Sequence, residues 1–191
     1  MSKNNHWIWR DVEEAATDSS SASVDRNVLK IDSDDICKDN PSSNVCHLYI
    51  EHLNLTNTDL YIKNDTRAIV LHLNLGGGVE RRSDLENYTY KLGSNAKICG
   101  VNSLADVGSS KRPACNLQPT QLVITQSGGS EKRSCPEALD PDDFQFGGGS
   151  LPAAWVSTES GRIRPSDATL RGVIWASSIC PSGSTTVTTE N

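Results

Sequence analysis

The chain has 191 residues, of which 36% are hydrophobic, and carries a net charge of -6 at pH 7 with a pI of about 5.2. That length supports one domain with a real core, while the low apolar share sends many residues to polar loops or ends. The acidic balance argues against nucleic acid as a partner, since the basic clusters are only the pairs Arg81-Arg82, Lys111-Arg112 and Lys132-Arg133 in polar stretches. No segment is apolar for long enough to span a membrane.

Residues 1–44 read as a polar N-terminal segment and linker. Trp7, Ile8 and Trp9 form its one apolar cluster before Val28, the Ser19-Ser20-Ser21 run has linker composition, and 32–44 is acidic and rich in turn formers. Ordered structure is expected from Val45. His47-Leu48-Tyr49-Ile50 alternates, and Leu53 and Leu55 then follow with the opposite parity, which requires a bend around Glu51-His52. Asp59-Leu60-Tyr61-Ile62-Lys63 is a second strand. Ile69-Val70-Leu71-His72-Leu73-Asn74-Leu75 is a third, with its leucines on one face and His72 and Asn74 on the other, stopped by Gly76-Gly77-Gly78.

A polar excursion, 76–120, holds Cys99 and Cys115. A structureless loop of that length is unusual in a compact domain, so short strands are expected at Tyr88-Thr89-Tyr90 and Ala96-Lys97-Ile98. Gln121-Leu122-Val123-Ile124-Thr125 is the next strand. A second insertion, 130–150, holds Cys135, an Asp140-Pro141-Asp142-Asp143 cluster and Gly147-Gly148-Gly149. The last strands are Ala153-Ala154-Trp155-Val156-Ser157 and Leu170-Arg171-Gly172-Val173-Ile174-Trp175-Ala176, and 182–191 reads as a flexible tail.

No Asn-Gly or Asp-Gly hairpin joins these strands. The fold class is therefore all-β, as a short parallel β-solenoid whose strands stack rung on rung over residues 45–181, with long disulfide-pinned loops. An antiparallel β-sandwich with longer loops is the alternative.

Six cysteines, Cys37, Cys46, Cys99, Cys115, Cys135 and Cys180, lie mostly in turn-like surroundings and form no Cys-x-x-Cys pair. Zinc ribbons and fingers need tighter spacing, so disulfides and an oxidising compartment are the better reading. Proximity in sequence suggests Cys37–Cys46, Cys99–Cys115 and Cys135–Cys180. Residues 1–30 carry no signal-peptide core, so an exported protein would need an export segment this chain lacks.

Catalytic constellations are not legible. The four histidines, His6, His47, His52 and His72, show no His-Glu-x-x-His spacing, no Gly-x-Ser-x-Gly occurs, and neither glycine triplet leads into a phosphate-binding Lys. His47 and His72 would meet if their strands were neighbours. Asp32-Ser33-Asp34-Asp35 and Asp140-Pro141-Asp142-Asp143 have the oxygen-rich composition calcium takes, but both lack the glycine and closing glutamate of the calcium loop, so solvated loops are favoured and no cofactor is expected. Sequons begin at Asn54, Asn64 and Asn87. Tyr61 and Trp155 are the candidate contact residues for a partner or glycan. Trp175 could also serve, or pack in the core.

In order, Leu53-Asn54-Leu55-Thr56, Leu60-Tyr61-Ile62, the 69–75 strand, Leu122-Val123-Ile124-Thr125 before Gly128-Gly129, and Gly172-Val173-Ile174-Trp175-Ala176 resemble the β-solenoid domain of bacterial pilin-like and pseudopilin-related surface proteins of the cyanobacterial type. The resemblance covers residues 45–180. The family's prepilin helix is absent, and the two cysteine-bearing insertions lie outside its common pattern. It implies a non-catalytic, extracellular or cell-surface structural or adhesive module. Its partners would be pilus or envelope subunits and polysaccharide, and it supplies no catalytic residue. A polysaccharide-active enzyme and a carbohydrate-binding module are the rival readings.

Overall fold

The computed structural model describes residues 6–12, 27–38, 42–55, 57–73, 90–93, 95–108, 112–126, 134–135 and 143–189. The described chain is almost wholly β. Its strands are β1 (His6–Val12), β2 (Asn27–Asp32), β3 (Val45–Leu55), β4 (Thr58–Lys63), β5 (Ala68–Leu73) and β6 (Tyr90–Leu92). There follow β7 (Lys97–Val101), β8 (Leu122–Gln126), β9 (Phe144–Gly147), β10 (Ala153–Ser166), β11 (Thr169–Ile179) and β12 (Thr186–Thr188). One short helix, α1 (Ser33–Ile36), follows β2 and is capped by the Asp32 side chain.

Every strand pairing among the described residues is parallel. The antiparallel sandwich is therefore not the arrangement. A nine-stranded sheet runs β12-β11-β10-β8-β5-β3-β6-β9, with β1 on the other side of β3, and a three-stranded sheet runs β2-β4-β7. β3 pairs with β5 up to Ile50 and with β6 from Asn54, so the parity change around Glu51-His52 is where the strand turns from one neighbour to the other.

The register lines up side chains of like kind. Leu48, Leu71, Ile124, Val156 and Ile174 form one inward column. Leu55, Leu92, Phe146 and Pro165 form another. Leu60 and Ile62 close the core from the smaller sheet. A fully buried Leu such as Leu71 contributes roughly 1.5–3 kcal/mol of transfer free energy, so these columns hold the strands in register. A third inward column turns polar along the stack: Ile50, Leu73, Gln126, Thr158, Ala176.

Several elements depart from the sequence reading. β1 and β2 lie in the stretch assigned to a linker and pair with β3 and β4, and β12 lies in the stretch assigned to a tail. The 130–150 insertion holds a strand, β9, that pairs into the large sheet, whereas β6 and β7 lie where short strands were expected within 76–120, each set one or more residues further along the chain. Asn64 opens a sequon yet is fully buried: its Nδ2 donates to the Gln121 carbonyl, and its Oδ1 accepts from Asn116.

Candidate functional site

Three disulfides join Cys37 to Cys46, Cys99 to Cys115 and Cys135 to Cys180, the pairs that proximity suggested. Each ties an irregular segment to the sheets. Cys37 follows α1 and is fixed to Cys46 at the start of β3, and its carbonyl accepts from Arg67. Cys99 lies on β7, and its bond to Cys115 accompanies the packing of Leu104, Val107 and Cys115 on the outer face of the smaller sheet. That cover corrects the reading of Tyr61 as a surface contact. Tyr61 is 0% exposed and packs with Cys99, Val101 and Val107, so no partner reaches its ring.

The third disulfide adjoins a buried ionic cluster. Arg162 on β10, 2% exposed, places Nε 2.8 Å and Nη2 3.0 Å from the two carboxylate oxygens of Asp143, itself 1% exposed. Arg164 adds a bond of 2.6 Å to the same carboxylate, and Arg162 also donates to the Ser134 carbonyl. Two cations on one strand thus hold the ends of the 134–143 segment beside the Cys135–Cys180 bridge. Asp140 and Asp142 lie outside the described residues.

The acidic stretch after β2 is also engaged. Asp34 accepts from Lys63 at 2.7 Å and from Thr66, and it lies 3.3 Å from Arg67. The Lys63 hydrogen bond, then that of Thr66, holds the Asp34 carboxyl below its ordinary 3.8, and the Asp34 hydrogen bond raises Lys63 above 10.5. The depressed acid contributes stability that is complete above pH 3.8 and is lost as pH falls through its lower folded value. The raised base contributes stability present below pH 10.5 and lost as pH rises through its folded value. Because Asp34 is 37% exposed, solvent screening keeps the pair below about 1 kcal/mol. In urea unfolding, Asp34→Asn is expected to be less stable than the parent by that small amount at neutral pH, with the gap closing well below pH 3.8.

The outer face of the large sheet carries the least covered chemistry. Register places His47, Val70, Val123, Trp155 and Val173 in one outward column, and Tyr49, His72, Thr125, Ser157 and Trp175 in the next. At the β3–β5 end, His47 Nδ1 and His72 Nε2 are 2.8 Å apart, and the Tyr49 ring stacks on His72 at 4.3 Å and 9°. The strands His47 and His72 occupy are direct neighbours, which brings the two together. The side chains of His6 and His52 are outside the described residues.

At the β10–β11 end, Trp155 is 45% exposed and Trp175 is 74% exposed. They are one strand and two residues apart, about 8 Å between backbones. Trp175, set in the strongest C-terminal strand, therefore points out of the core. Beyond Arg171, which together with Thr169 and Leu170 pairs with β12, no described strand pairs with the outer edge of β11. Ile174 and Ala176, which face inward, are only partly buried there. Sequence reasoning marked β11 as a strand. What it missed is that this strand is an edge, because pairing partners are not written in a strand's own residues.

Among the described residues no group of three or more His, Cys, Asp or Glu is arranged to hold a metal ion, and no helix is long and apolar enough to cross a membrane. No family model, curated protein or solved structure matches the chain.

Proposed function

We propose that this chain is a short β-solenoid serving as a non-catalytic structural and adhesive module outside the cytoplasm, joined to other subunits of a pilus-like or secretion-linked assembly. The observation that carries this is the edge of β11 over residues 172–178, with which no described strand pairs, and Val173, Trp175 and Ile179 are exposed beside it. An unpaired strand edge is a template for another strand, and an apolar margin adds burial to the backbone hydrogen bonds. β1, at the opposite end of the same parallel ladder, pairs with β3 alone among the described strands. The β11 edge of one copy against the β1 edge of the next continues the ladder with the same strand direction, a head-to-tail contact that grows rather than closes. Three disulfides fit an oxidising compartment, where subunits of this kind work.

Sedimentation across a dilution series tests the reading. The parent chain is expected to gain mass with concentration. Ala176→Lys places a charge on the inward side of that edge and is expected to keep the protein monomeric, with little change in circular dichroism. A parent chain that stays monomeric throughout, or a variant that associates as well as the parent, overturns it. Turnover of a polysaccharide by the purified protein would overturn the non-catalytic part.

A second reading, glycan binding, is favoured by Trp155 and Trp175, whose exposed rings on one face suit stacking against sugar rings. Binding in a glycan panel that is lost in Trp175→Ala and Trp155→Ala, without loss of self-association, would support it alongside assembly.

A further inference from the structure

We propose that the Cys135–Cys180 disulfide is a thiol-exchange site, at which a small thiol such as glutathione bonds to Cys135 and releases Cys180 as a thiolate. Exposure separates this bridge from the other two. Cys135 is exposed. In the other bridges Cys37 is 2% exposed, Cys46 and Cys99 are 0% exposed, and Cys115 is half-buried against the cluster that holds Tyr61 and Val107. Exchange begins when a thiolate reaches one sulfur of the bond, so access decides which bridge reacts. Access also decides which sulfur is attacked. Cys180 is 6% exposed, so the incoming thiolate meets Cys135, and Cys180 is the leaving sulfur.

A thiolate released in a buried position needs a donor, and β11 supplies one. Ser178 Oγ lies 3.6 Å from Cys180 Sγ and 3.8 Å from Cys135 Sγ. Neither bridged sulfur carries a proton, so the Ser178 hydroxyl is the donor towards both. The contact is weak in the intact bridge and strengthens once Cys180 carries charge. The ionic cluster beside the bridge acts in the same direction. Arg162 donates to the carbonyl of Ser134, the residue before Cys135, and the guanidinium groups of Arg162 and Arg164 face the single carboxylate of Asp143. Cations beside a sulfur favour its thiolate.

One thiolate enters as one leaves. The Cys135–Cys180 bond breaks, a bond between Cys135 Sγ and the sulfur of the small thiol forms, and the electron pair of the old bond stays on Cys180 Sγ. Attack of Cys180 on the mixed disulfide reverses the step and expels the small thiol. Arg162 still bonds Ser134 and Asp143 in the adduct, so the two cysteines stay near each other and closure is intramolecular. Cys135 Sγ lies 3.9 Å from the Ile179 carbonyl oxygen, so exchange unclasps the 134–135 segment from the end of β11.

Incubation of the full chain with graded reduced glutathione, an iodoacetamide quench and peptide mapping by mass spectrometry test the site. Glutathione is expected on Cys135 and the alkyl label on Cys180, about tenfold faster than modification of any of the other four cysteines. Ser178→Ala is expected to slow the exchange about threefold, and Ser178→Thr, which keeps the hydroxyl, to restore it. Far-ultraviolet circular dichroism of the adduct should match the oxidised parent. Equal or faster reaction at either other bridge, glutathione on Cys180 in place of Cys135, an unfolded adduct, or a folded Ser178→Ala variant that reacts at the parent rate overturns the proposal.

Discussion

Asp143→Ala is expected to lower the stability of the chain by about 3–5 kcal/mol, read as a fall in the urea midpoint at neutral pH. The carboxylate is 1% exposed and accepts from Arg162, 2% exposed, and from Arg164, 13% exposed. Removing it takes from two largely buried guanidinium groups the carboxylate to which both donate. Arg162 cannot discharge itself by losing a proton, so desolvation is met by water entering or by β10 shifting. The attraction itself is a poor measure of this cost, because burying the three ions already offsets much of it. Replacing all three residues with apolar side chains of similar volume is accordingly expected to be close to neutral, whereas the single alanine is severe. The damage should be local first. Ser134, whose carbonyl accepts from Arg162, and the Cys135–Cys180 bridge are tied to the same strand, so proteolysis between 134 and 143 is expected to accelerate in the variant.

Gly172→Ala should cost more than about 3 kcal/mol, through a different cause. Gly172 has φ of +143°, a backbone region that side-chain-bearing residues rarely adopt. A Cβ built there would also collide with the Ala154 carbonyl oxygen, backbone in the neighbouring strand that cannot rotate away. β10 and β11 pair at this point, Ala154 with Gly172, so relief requires the two strands to separate. The strain falls at the first residue past the stretch of β11 covered by β12. The measurement is again urea unfolding, and β11 amides in the variant are expected to exchange faster than those of β5.

The parts legible in the sequence were those governed by alternation and spacing. Ile69, Leu71 and Leu73 announced β5, and Leu122 and Ile124 announced β8, because one apolar face per strand leaves a period of two in the chain. The cysteine pairs were legible because each cysteine bonds the nearest one left in sequence order, although Cys135–Cys180 spans three strands, β9 to β11. The second half of β10 was not, since Arg162, Arg164, Pro165 and Ser166 carry no apolar alternation beyond Ile163. Arg162 is buried against Asp143 and the Ser134 carbonyl, and that pairing spans residues with no local signal. β2 was hidden by its neighbours: Val28, Leu29 and Ile31 are few and lead directly into an acidic run. Tyr61 was misplaced because alternation puts it on an outer face, and nothing in β4 itself reveals that Val107, Leu104 and Cys115 pack over that face. His47 and His72 could be named as neighbours only on condition that β3 and β5 pair, which they do.

The proposed assembly runs through the edge of β11 with which no described strand pairs. Hydrogen–deuterium exchange, followed by mass spectrometry at low and high protein concentration, addresses that edge directly. In dilute solution the amides of 172–178 are expected to exchange quickly beside the slowly exchanging interior strands β5 and β8, and to become protected as concentration rises. Amides of 172–178 that are equally protected, or equally unprotected, at every concentration would contradict it.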